Sequence, residues 1–231
     1  MRLAYFTGLP ENRGALFLWV GYVRKRGNEF ILSLFFIIND FHWQIWYNVF
    51  VVESDKSALL RWHMGIEIRR LSIVDGQDIY EMLQKLPSNE NGFVNSVNGK
   101  SYDEYKKWLS AADDNSKQKE IIDGWKVPQT TYWLLEDEKP VGYGKVRHFM
   151  TDRLLTDGGN VGYAIVSEVR NKGLGKRFLA MILDESKKLG IEKVLLTIKQ
   201  ENKASVKVAL ANGGVIDKAE NDLYYIWIDL R

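Results

Sequence analysis

A basic loop that contains two glycines is the feature of this chain whose residue types and spacing point most directly to chemistry. An apolar run over residues 161–166 precedes Arg170-Asn-Lys-Gly-Leu-Gly175, and an amphipathic stretch follows over residues 176–189. Gly173 and Gly175 carry no Cβ, so a ligand can approach the backbone closely, and the first turn of the predicted helix leaves its N–H donors unpaired. Such a helix start binds anions, most naturally a pyrophosphate. Four side chains add positive charge around the turn: Arg170, Lys172, Lys176 and Arg177.

Two common nucleotide-binding loops do not fit this spacing. A dinucleotide-binding fingerprint requires a third glycine three residues after the second, and Phe178 stands there. A Walker loop requires Ser or Thr after its Gly-Lys pair, and Arg177 follows Lys176. The loop instead resembles the Arg/Gln-x-x-Gly-x-Gly/Ala loop of the GNAT superfamily of acyl-CoA-dependent N-acetyltransferases, which holds the pyrophosphate of coenzyme A. Taken alone, the motif leaves an ordinary strand-to-helix turn open as the alternative.

The elements predicted after the loop follow the order of the second half of a GNAT domain. Gly190 is placed to end the helix as its C′ residue. Residues 194–198 predict a buried strand, a second helix opens within residues 201–205 and ends at 212–214, and residues 223–230 predict a terminal strand. The stripe on one face of the first helix comprises Leu174, Phe178, Met181, Ile182, Glu185 and Leu189.

The first half of the domain has matching signals. The predicted elements are a strand at 66–71, helices at 75–86 and 102–112, and a hairpin of residues 130–135 and 141–149 around a turn at 136–140. Four motifs resemble a branch of predicted bacterial acetyltransferases: Glu90-Asn-Gly-Phe93, residues 127–132, Arg147-His148, and Gly158-Gly159 ahead of Gly162-Tyr163. The resemblance covers residues 64–231. It implies an α/β (α+β) GNAT fold, in which helices flank a mixed central sheet with splayed central strands.

The resemblance also implies where acetyl-CoA binds. The pantetheine arm lies between the splayed strands, and backbone N–H groups near Ile165 and Val166 would stabilise the oxyanion that forms when an amine attacks the thioester. Asn202 is expected to cap a helix and, by resemblance, to reach the pantetheine amides with Ser205. The residues expected around the pyrophosphate are Arg170, Asn171, Lys172, Gly173, Leu174, Gly175 and Lys176.

The sequence departs from the family pattern at both proton-transfer positions. Many members carry a Tyr seven residues after the capping Asn, where this chain has Ala209, and a Glu before the first splayed strand, where residues 158–160 are Gly-Gly-Asn. The nearest substitutes are His148 as base, with an ordinary pKa of about 6.5, and Tyr163 as proton donor to sulfur. A hydrogen-bonded core His and a half-buried strand Tyr are the alternatives. Further candidates for the acceptor pocket are Arg147, Asn160 and the loop at residues 90–93.

Residues 1–63 fall outside the resemblance and hold 14 of the 29 aromatic residues. Their apolar runs fall short of the roughly 18 residues that a membrane helix needs. Two hypotheses remain, an extra β-rich element or translated sequence upstream of a start at Met64. We favour the second, because Arg61-Trp62 can be encoded by AGGTGG, close to a bacterial ribosome-binding sequence. The predicted domains are an N-terminal extension at 1–63 and an N-acetyltransferase domain at 64–231.

Composition argues against several other classes. The net charge is +2, and residues 64–231 carry 25 basic and 25 acidic side chains, so no polybasic face suggests nucleic acid. The absence of cysteine excludes disulfides and agrees with a cytoplasmic location, and the three histidines lack metal-ligand spacing. We therefore expect a cytoplasmic N-acetyltransferase that uses acetyl-CoA and a small-molecule primary amine, without a metal or a membrane. The alternatives are a non-catalytic acyl-CoA-binding module and a membrane-associated protein led by residues 1–63. The sequence does not set the oligomeric state and leaves a homodimer open.

Overall fold

The computed structural model describes residues 4–6, 18–26, 29–37, 46–52, 65–120, 124 and 126–231. The chain divides into two units, Met1–His63 and Met64–Arg231. In the first unit, four strands form an antiparallel sheet in chain order, as their aromatic and β-branched composition favours. These strands are β1 (Ala4–Phe6), β2 (Leu18–Arg26), β3 (Glu29–Ile37) and β4 (Trp46–Val52). The predicted start at Met64, with Arg61 and Trp62 before it, lies outside the described residues and stays a prediction.

The second unit, in its described part, contains three sheets with antiparallel neighbours. Its strands are β5 (Ile66–Arg70), β6 (Asn89–Glu90), β7 (Phe93–Val94), β8 (Gln129–Glu136), β9 (Lys139–Arg147), β10 (Val161–Ile165), β11 (Lys193–Lys199), β12 (Val215–Glu220) and β13 (Leu223–Asp229). Its helices are α1 (Gln77–Lys85), α2 (Tyr102–Lys117), α3 (Asp152–Thr156), α4 (Leu174–Lys188) and α5 (Lys203–Leu210), with a 3₁₀ turn at Ser167–Val169. The sheet orders are β10-β9-β8-β5, β11-β13-β12 and β6-β7. This arrangement confirms the predicted fold class.

The predicted elements are present, with shifted ends. The β8–β9 hairpin turns through Asp137 and Glu138, whose φ angles of 55° and 65° suit a two-residue turn. A capping box between Ser101 and Glu104 starts α2, which continues to Lys117. Three features were not predicted, the β6–β7 hairpin, helix α3 and strand β12. The first two are very short, and β12 is exposed at every residue, so it lacks the alternation that marks a half-buried strand.

Helix α4 packs closely on β9 because glycines leave room for it. A Cβ at Gly144 would lie 2.9 Å from Phe178 Cζ and 2.8 Å from Ile182 Cδ1. The buried face of α4 consists of Leu174, Phe178, Leu179, Ile182, Leu183 and Ser186. The predicted stripe was therefore wrong at Leu189, which is exposed. The buried face includes Leu179 and Leu183 instead, so it is rotated about the helix axis relative to the predicted stripe. The helix ends as predicted, with Gly190 at a φ of 80°.

Strands β10 and β11 are joined at one end and are not paired beyond it. Asn160 N–H donates to Leu195 O at 2.8 Å, and Leu195 N–H donates to Asn160 Oδ1 at 2.9 Å. Among the described residues, no ladder pairs the two strands. Each strand is an edge of its own sheet, so a gap opens between them. This is the strand splay expected from the sequence, and the loop that follows β10 leads to the start of α4.

Candidate active site

The loop before α4 has the backbone geometry of an anion-binding site. Asn171 and Gly173 adopt left-handed conformations, with φ angles of 63° and 79°. Arg177 N–H donates to Gly173 O at 3.3 Å, and this is the first hydrogen bond of the helical ladder. The N–H groups of residues 174–176 therefore have no acceptor inside the helix. No described side chain caps this end, and its first turn carries no acidic residue. The N–H groups and the positive end of the helix dipole are therefore available to a phosphate.

Gly175 lets α4 begin against two neighbouring elements. A Cβ at this position would lie 3.5 Å from Val208 Cγ2 on α5 and 3.7 Å from Ile165 Cδ1 on β10, which are ordinary contact distances. A methyl group fits between these neighbours, whereas a branched side chain has little room. At Gly173 the surrounding space is open, and the constraint is the positive φ, which other residues rarely adopt.

Arg170 forms an ion pair with Glu90, whereas the sequence predicted that it would add charge around a pyrophosphate. Its guanidinium donates to both carboxylate oxygens of Glu90 at 2.7 Å each, and its Nε donates to Ile165 O at 2.9 Å. The hydrogen bond from Arg170 holds the pKa of Glu90 below its ordinary value. We call this pair the Arg170–Glu90 clip, because it ties the β6–β7 hairpin to the end of β10. Three exposed cations around the loop form no ion pair with described residues: Lys172, Lys176 and Arg177.

A cleft of about 1100 Å³ connects this loop with the gap between β10 and β11. The sequence-predicted residues that line it are Tyr163, Ile165, Arg170, Asn171, Gly173, Gly175, Lys176, Asn202 and Ser205. Four others are outside the lining: His148, Val166, Lys172 and Leu174. Leu174 is buried in the core. The structure thus gathers most of the predicted residues around one cleft.

Successive N–H groups of β10 point alternately toward β9 and toward the gap. Val166 N–H donates to Val141 O on β9 at 3.0 Å, so Val166 is not a free oxyanion donor and that expectation was wrong. Neighbouring residues of an antiparallel strand direct their N–H groups to opposite sides. The N–H groups of Ile165 and Tyr163 therefore point to the gap and are the candidate donors.

Asn202 caps α5, as the sequence predicted. Its Oδ1 accepts from Ser205 N–H at 3.2 Å, and its Nδ2 donates to Ser205 Oγ at 3.0 Å. Both side chains line the cleft. One residue can fix the helix start and present its amide to a ligand, so the predicted contact with pantetheine stays compatible with the cap.

Tyr163 carries a buried hydroxyl that has no hydrogen-bond partner among the described residues. Burial raises its pKa to about 12, and the nearby Ser205 hydroxyl offsets part of that rise, so the group is protonated at neutral pH. The ring packs edge-on against Phe178. A buried donor without an acceptor costs free energy, and a ligand in the cleft can supply one. Ser205 and Ala209 lie one turn apart on α5, so this hydroxyl lies near the helix face where the family pattern places its Tyr.

His148 is not brought to the cleft. Its Nε2 is 2.8 Å from Thr130 Oγ1, and its backbone N–H donates to Pro128 O at 2.9 Å. Burial lowers its pKa, with a smaller contribution from Arg70. These contacts describe the structural alternative, a hydrogen-bonded histidine, and we do not assign it a catalytic role.

Lys145 lines the cleft and was missed by the sequence analysis. Its Nζ donates to Val94 O at 2.6 Å and lies 5.0 Å and 4.8 Å from the ring centres of Phe93 and Tyr143. Burial lowers the pKa of Lys145 to about 7, and repulsion from Arg147 adds to the effect. The sequence signal that could have identified Lys145 is its place inside a strand with apolar residues on both sides. The packing of the β6–β7 hairpin against this lysine could not be predicted.

Arg147 also lines the cleft, as expected for an acceptor pocket. Its guanidinium donates to the carbonyl oxygens of Gly158 and Gly159 at 2.9 Å and 3.0 Å. Burial lowers its pKa, and Asp157 opposes this shift. Asn160 is buried and serves to join β10 to β11, so it does not shape the pocket as proposed from the sequence.

Among the described residues, no group of three or more His, Cys, Asp or Glu could hold a metal ion. The same residues contain no helix with the length and hydropathy needed to cross a membrane.

Comparison with known proteins agrees with this fold. A family model described as an acetyltransferase (GNAT) domain matches residues 66–215. No curated protein matches the chain. Among solved structures, the ribosomal-protein-S5-alanine acetyltransferase of Vibrio fischeri is 15% identical, with a TM-score of 0.52 over 71% of this chain and 92% of its own. A GNAT-family acetyltransferase of Streptococcus pneumoniae is 18% identical, with a TM-score of 0.50 over 71% and 99%. A putative acetyltransferase of Salmonella typhimurium, solved with its cofactor acetyl-CoA, is 16% identical, with a TM-score of 0.50 over 72% and 95%.

Proposed function

Since the model of the acetyltransferase (GNAT) domain matches more than half of the chain, the protein belongs to that family, and we propose that it acetylates a primary amine of a small molecule. As a member of that family it is an acyltransferase that uses acetyl-CoA. The proposal concerns the acceptor, the residues of the site and a direct attack of the amine on the thioester. We place the reaction in the cytoplasm, in keeping with a chain that contains no cysteine.

The observation that carries the proposal is the continuity between an anion-binding helix start and a strand gap that contains an unpartnered hydroxyl. The free N–H groups of residues 174–176 suit the pyrophosphate of acetyl-CoA. From there the cleft follows β10, with Asn202 and Ser205 in its lining. Tyr163 lies further along the strand, and its buried hydroxyl has no partner among the described residues. The residues present therefore fit a phosphate at one end and a thioester in the gap.

The chemistry needs a polarised carbonyl, an uncharged amine and a protonated leaving group. Acetyl-CoA supplies the acetyl group as a thioester. The N–H groups of Tyr163 and Ile165 stabilise the negative charge that develops on the carbonyl oxygen. The Tyr163 hydroxyl, protonated because burial raises its pKa to about 12, donates to the departing sulfur.

The proton of the amine requires an acceptor, and the family's usual Glu is absent from residues 158–160. Asp157 precedes this segment, is exposed and lines the cleft. We assign the amine proton to Asp157 through bridging water, because Asp157 lies near Arg147 before the start of β10, away from the N–H groups of Tyr163 and Ile165. His148 has no place in this scheme, because it lies outside the cleft lining.

Release of the CoA thiol from acetyl-CoA across a panel of small primary amines tests the proposal. We expect release that depends on the amine and a product whose mass is increased by one acetyl group. The same amines already N-acetylated are the matched control and should release nothing. Tight binding of acetyl-CoA without amine-dependent release would instead support a non-catalytic acyl-CoA-binding module.

A further inference from the structure

One side of the cleft is formed by Phe93, Lys145, Arg147 and Gly162, which we call the acceptor wall. Lys145 is the ladder partner of Gly162, and Phe93 covers that glycine, since a Cβ there would lie 3.2 Å from Phe93 Cδ2. Side chains alternate along a strand, and residues opposite each other in a ladder share a face. Tyr163, which packs on α4, therefore points to the other face. The acceptor wall lies on the face of the sheet away from α4.

The acceptor wall is also displaced along β10 from the loop of residues 170–175, which we call the phosphate loop. Gly162 precedes Ile165 by three residues, which is roughly 10 Å of strand at about 3.3 Å per residue. The phosphate loop begins beyond the opposite end of β10. A ligand on the acceptor wall would thus lie across the candidate oxyanion donors from a bound pyrophosphate, where the second substrate of an acetyl transfer is needed.

The two cations of the acceptor wall lack a carboxylate partner. No described carboxylate oxygen lies within 4.0 Å of Lys145 Nζ or the Arg147 guanidinium, and the hydrogen bonds of both go to backbone carbonyls. Asp157 attracts Arg147 from a longer distance. Glu90, the carboxylate of the neighbouring hairpin, is already paired with Arg170. Positive charge therefore exceeds negative charge on this side of the cleft.

Two such cations without a neighbouring anion are unfavourable. Removing a cation from water without an anion beside it costs free energy, and burial accordingly lowers the pKa of both Lys145 and Arg147. An anion delivered between them would reverse this penalty and bind with charge-assisted hydrogen bonds. Perturbed cations in a cleft are typical of binding sites.

We propose that the amine acceptor carries an anionic group, a carboxylate or a phosphate, and that Lys145 and Arg147 bind it. The inference deepens the proposed acetyl transfer and rests on it. An acceptor held in this way has its anion on the acceptor wall and its amine directed along β10 toward the N–H groups of Tyr163 and Ile165. The substrate class is a short amine with an acidic group, such as an ω-amino acid or an aminoalkyl phosphate.

Matched acceptor pairs test this inference on the full chain. The pairs are a series of ω-aminoalkanoates against their primary amides, and O-phosphoethanolamine against ethanolamine, compared by kcat/KM at equal concentrations of free amine. We expect the acidic member of at least one pair to be preferred by about 30-fold or more, since losing one partner of a buried charge pair costs roughly 2 kcal/mol at least. The two kinds of pair distinguish a carboxylate from a phosphate.

Variants assign the preference to the acceptor wall. Lys145→Met keeps a long side chain against the rings of Phe93 and Tyr143 and should abolish most of the preference, whereas Lys145→Arg should retain it. Arg147→Met should act like Lys145→Met. Lys139→Met is the matched control, because Lys139 lies on the same strand, is exposed and is outside the cleft lining. It should leave the preference unchanged.

A binding measurement separates failure of this inference from failure of the proposed function. Calorimetry with CoA present compares the N-acetylated ω-amino acids with their amides, and we expect the acids to bind more tightly in a manner that Lys145→Met removes. If no amine is acetylated but this difference persists, the proposed function fails and the anion site stands. If neutral and acidic amines are acetylated equally well, the function stands and the anion site is refuted. Equal binding of the acid and amide probes refutes it as well.

Discussion

Replacing Tyr163 by Phe is expected to stabilise the protein and slow its reaction. The Tyr163 hydroxyl is buried without a partner among the described residues, and an unsatisfied buried hydroxyl costs about 1–3 kcal/mol. Phe keeps the ring contact with Phe178 and removes that cost. Because Ser205 lies near the hydroxyl, we take the lower end, ~1 kcal/mol, which corresponds to a rise of about 2–4 °C in Tm for a chain of this size.

The same substitution removes the proposed proton donor to sulfur. A positioned general acid contributes about 10²–10⁴-fold to a rate, so kcat should fall by ~100-fold or more. The Kd of acetyl-CoA should rise by about 5-fold at most, because an acceptor atom of the bound ligand relieves no more than the ~1 kcal/mol cost of the buried hydroxyl, so the loss falls mainly on kcat. Steady-state kinetics, calorimetry with acetyl-CoA and thermal unfolding measure the three quantities on one preparation.

Tyr225→Phe is the matched control for Tyr163→Phe. Tyr225 is buried, and its hydroxyl donates to Thr156 O at 2.7 Å. Its loss leaves that carbonyl without the partner and should destabilise the protein by about 1 kcal/mol, with kcat unchanged. A Tyr163→Phe enzyme that keeps the wild-type kcat, or that is destabilised as Tyr225→Phe is, would refute the assignment.

Three further predictions address the phosphate loop, the clip and the acceptor wall. Gly175→Ala should bind acetyl-CoA nearly as well as the wild type, whereas Gly175→Val should lose binding by calorimetry; equal affinities would contradict the loop assignment. Glu90→Gln should raise the KM of the amine and hardly change the Kd of acetyl-CoA. Because Arg170 lowers the pKa of Glu90, the Arg170–Glu90 clip stabilises the fold fully above the ordinary pKa of that carboxyl. This stabilisation is lost as the pH falls through the lower pKa of the folded state. If the Tm of Glu90→Gln follows that of the wild type through this acid range, the stabilising role of the clip is refuted. Burial lowers the pKa of Lys145 to about 7 in the folded protein. Between about pH 7 and 10 this lysine therefore keeps its proton in the unfolded chain and loses it in the folded one, so the free energy of unfolding of the wild type should rise with pH across that interval. Lys145→Met should remove this rise and stabilise the protein most near pH 6, by ~1–2 kcal/mol after allowance for solvent screening; an equal gain at pH 6 and pH 9 would show that the lysine is not desolvated.

The features that the sequence predicted well are set by local chemistry. Asn202 caps α5, Gly190 ends α4 with a positive φ, and Gly173 opens α4 with another. Each depends on the residue itself and a few neighbours in the chain, so its pattern is visible in sequence. The strand gap itself was expected only from the resemblance to the GNAT superfamily, which these local signals support by their order.

The features that the sequence analysis missed depend on contacts between distant segments. Arg170 belongs to the loop motif, but its partner Glu90 is 80 residues away, and that partner redirects its charge. Lys145 is desolvated where Phe93 and Val94, which are distant in sequence, pack against it. Such pairings arise from tertiary packing, which leaves no periodic signal.

The prediction for the backbone of Val166 was wrong for a related reason. The sequence places Ile165 and Val166 at the end of one strand, and the direction of each N–H depends on the register with β9. In that register Val166 N–H is bound to Val141 O, and alternation gives the cleft the N–H groups of Ile165 and Tyr163. A one-residue shift would have exchanged the two sets.

The structure of the full chain with acetyl-CoA bound tests the central claim most directly. We predict the pyrophosphate on the N–H groups of residues 174–176, the pantetheine between β10 and β11, and the thioester sulfur within hydrogen-bond reach of the Tyr163 hydroxyl. The acetyl group should then face the acceptor wall. A pyrophosphate bound away from the start of α4, or a sulfur beyond the reach of Tyr163, would contradict the account.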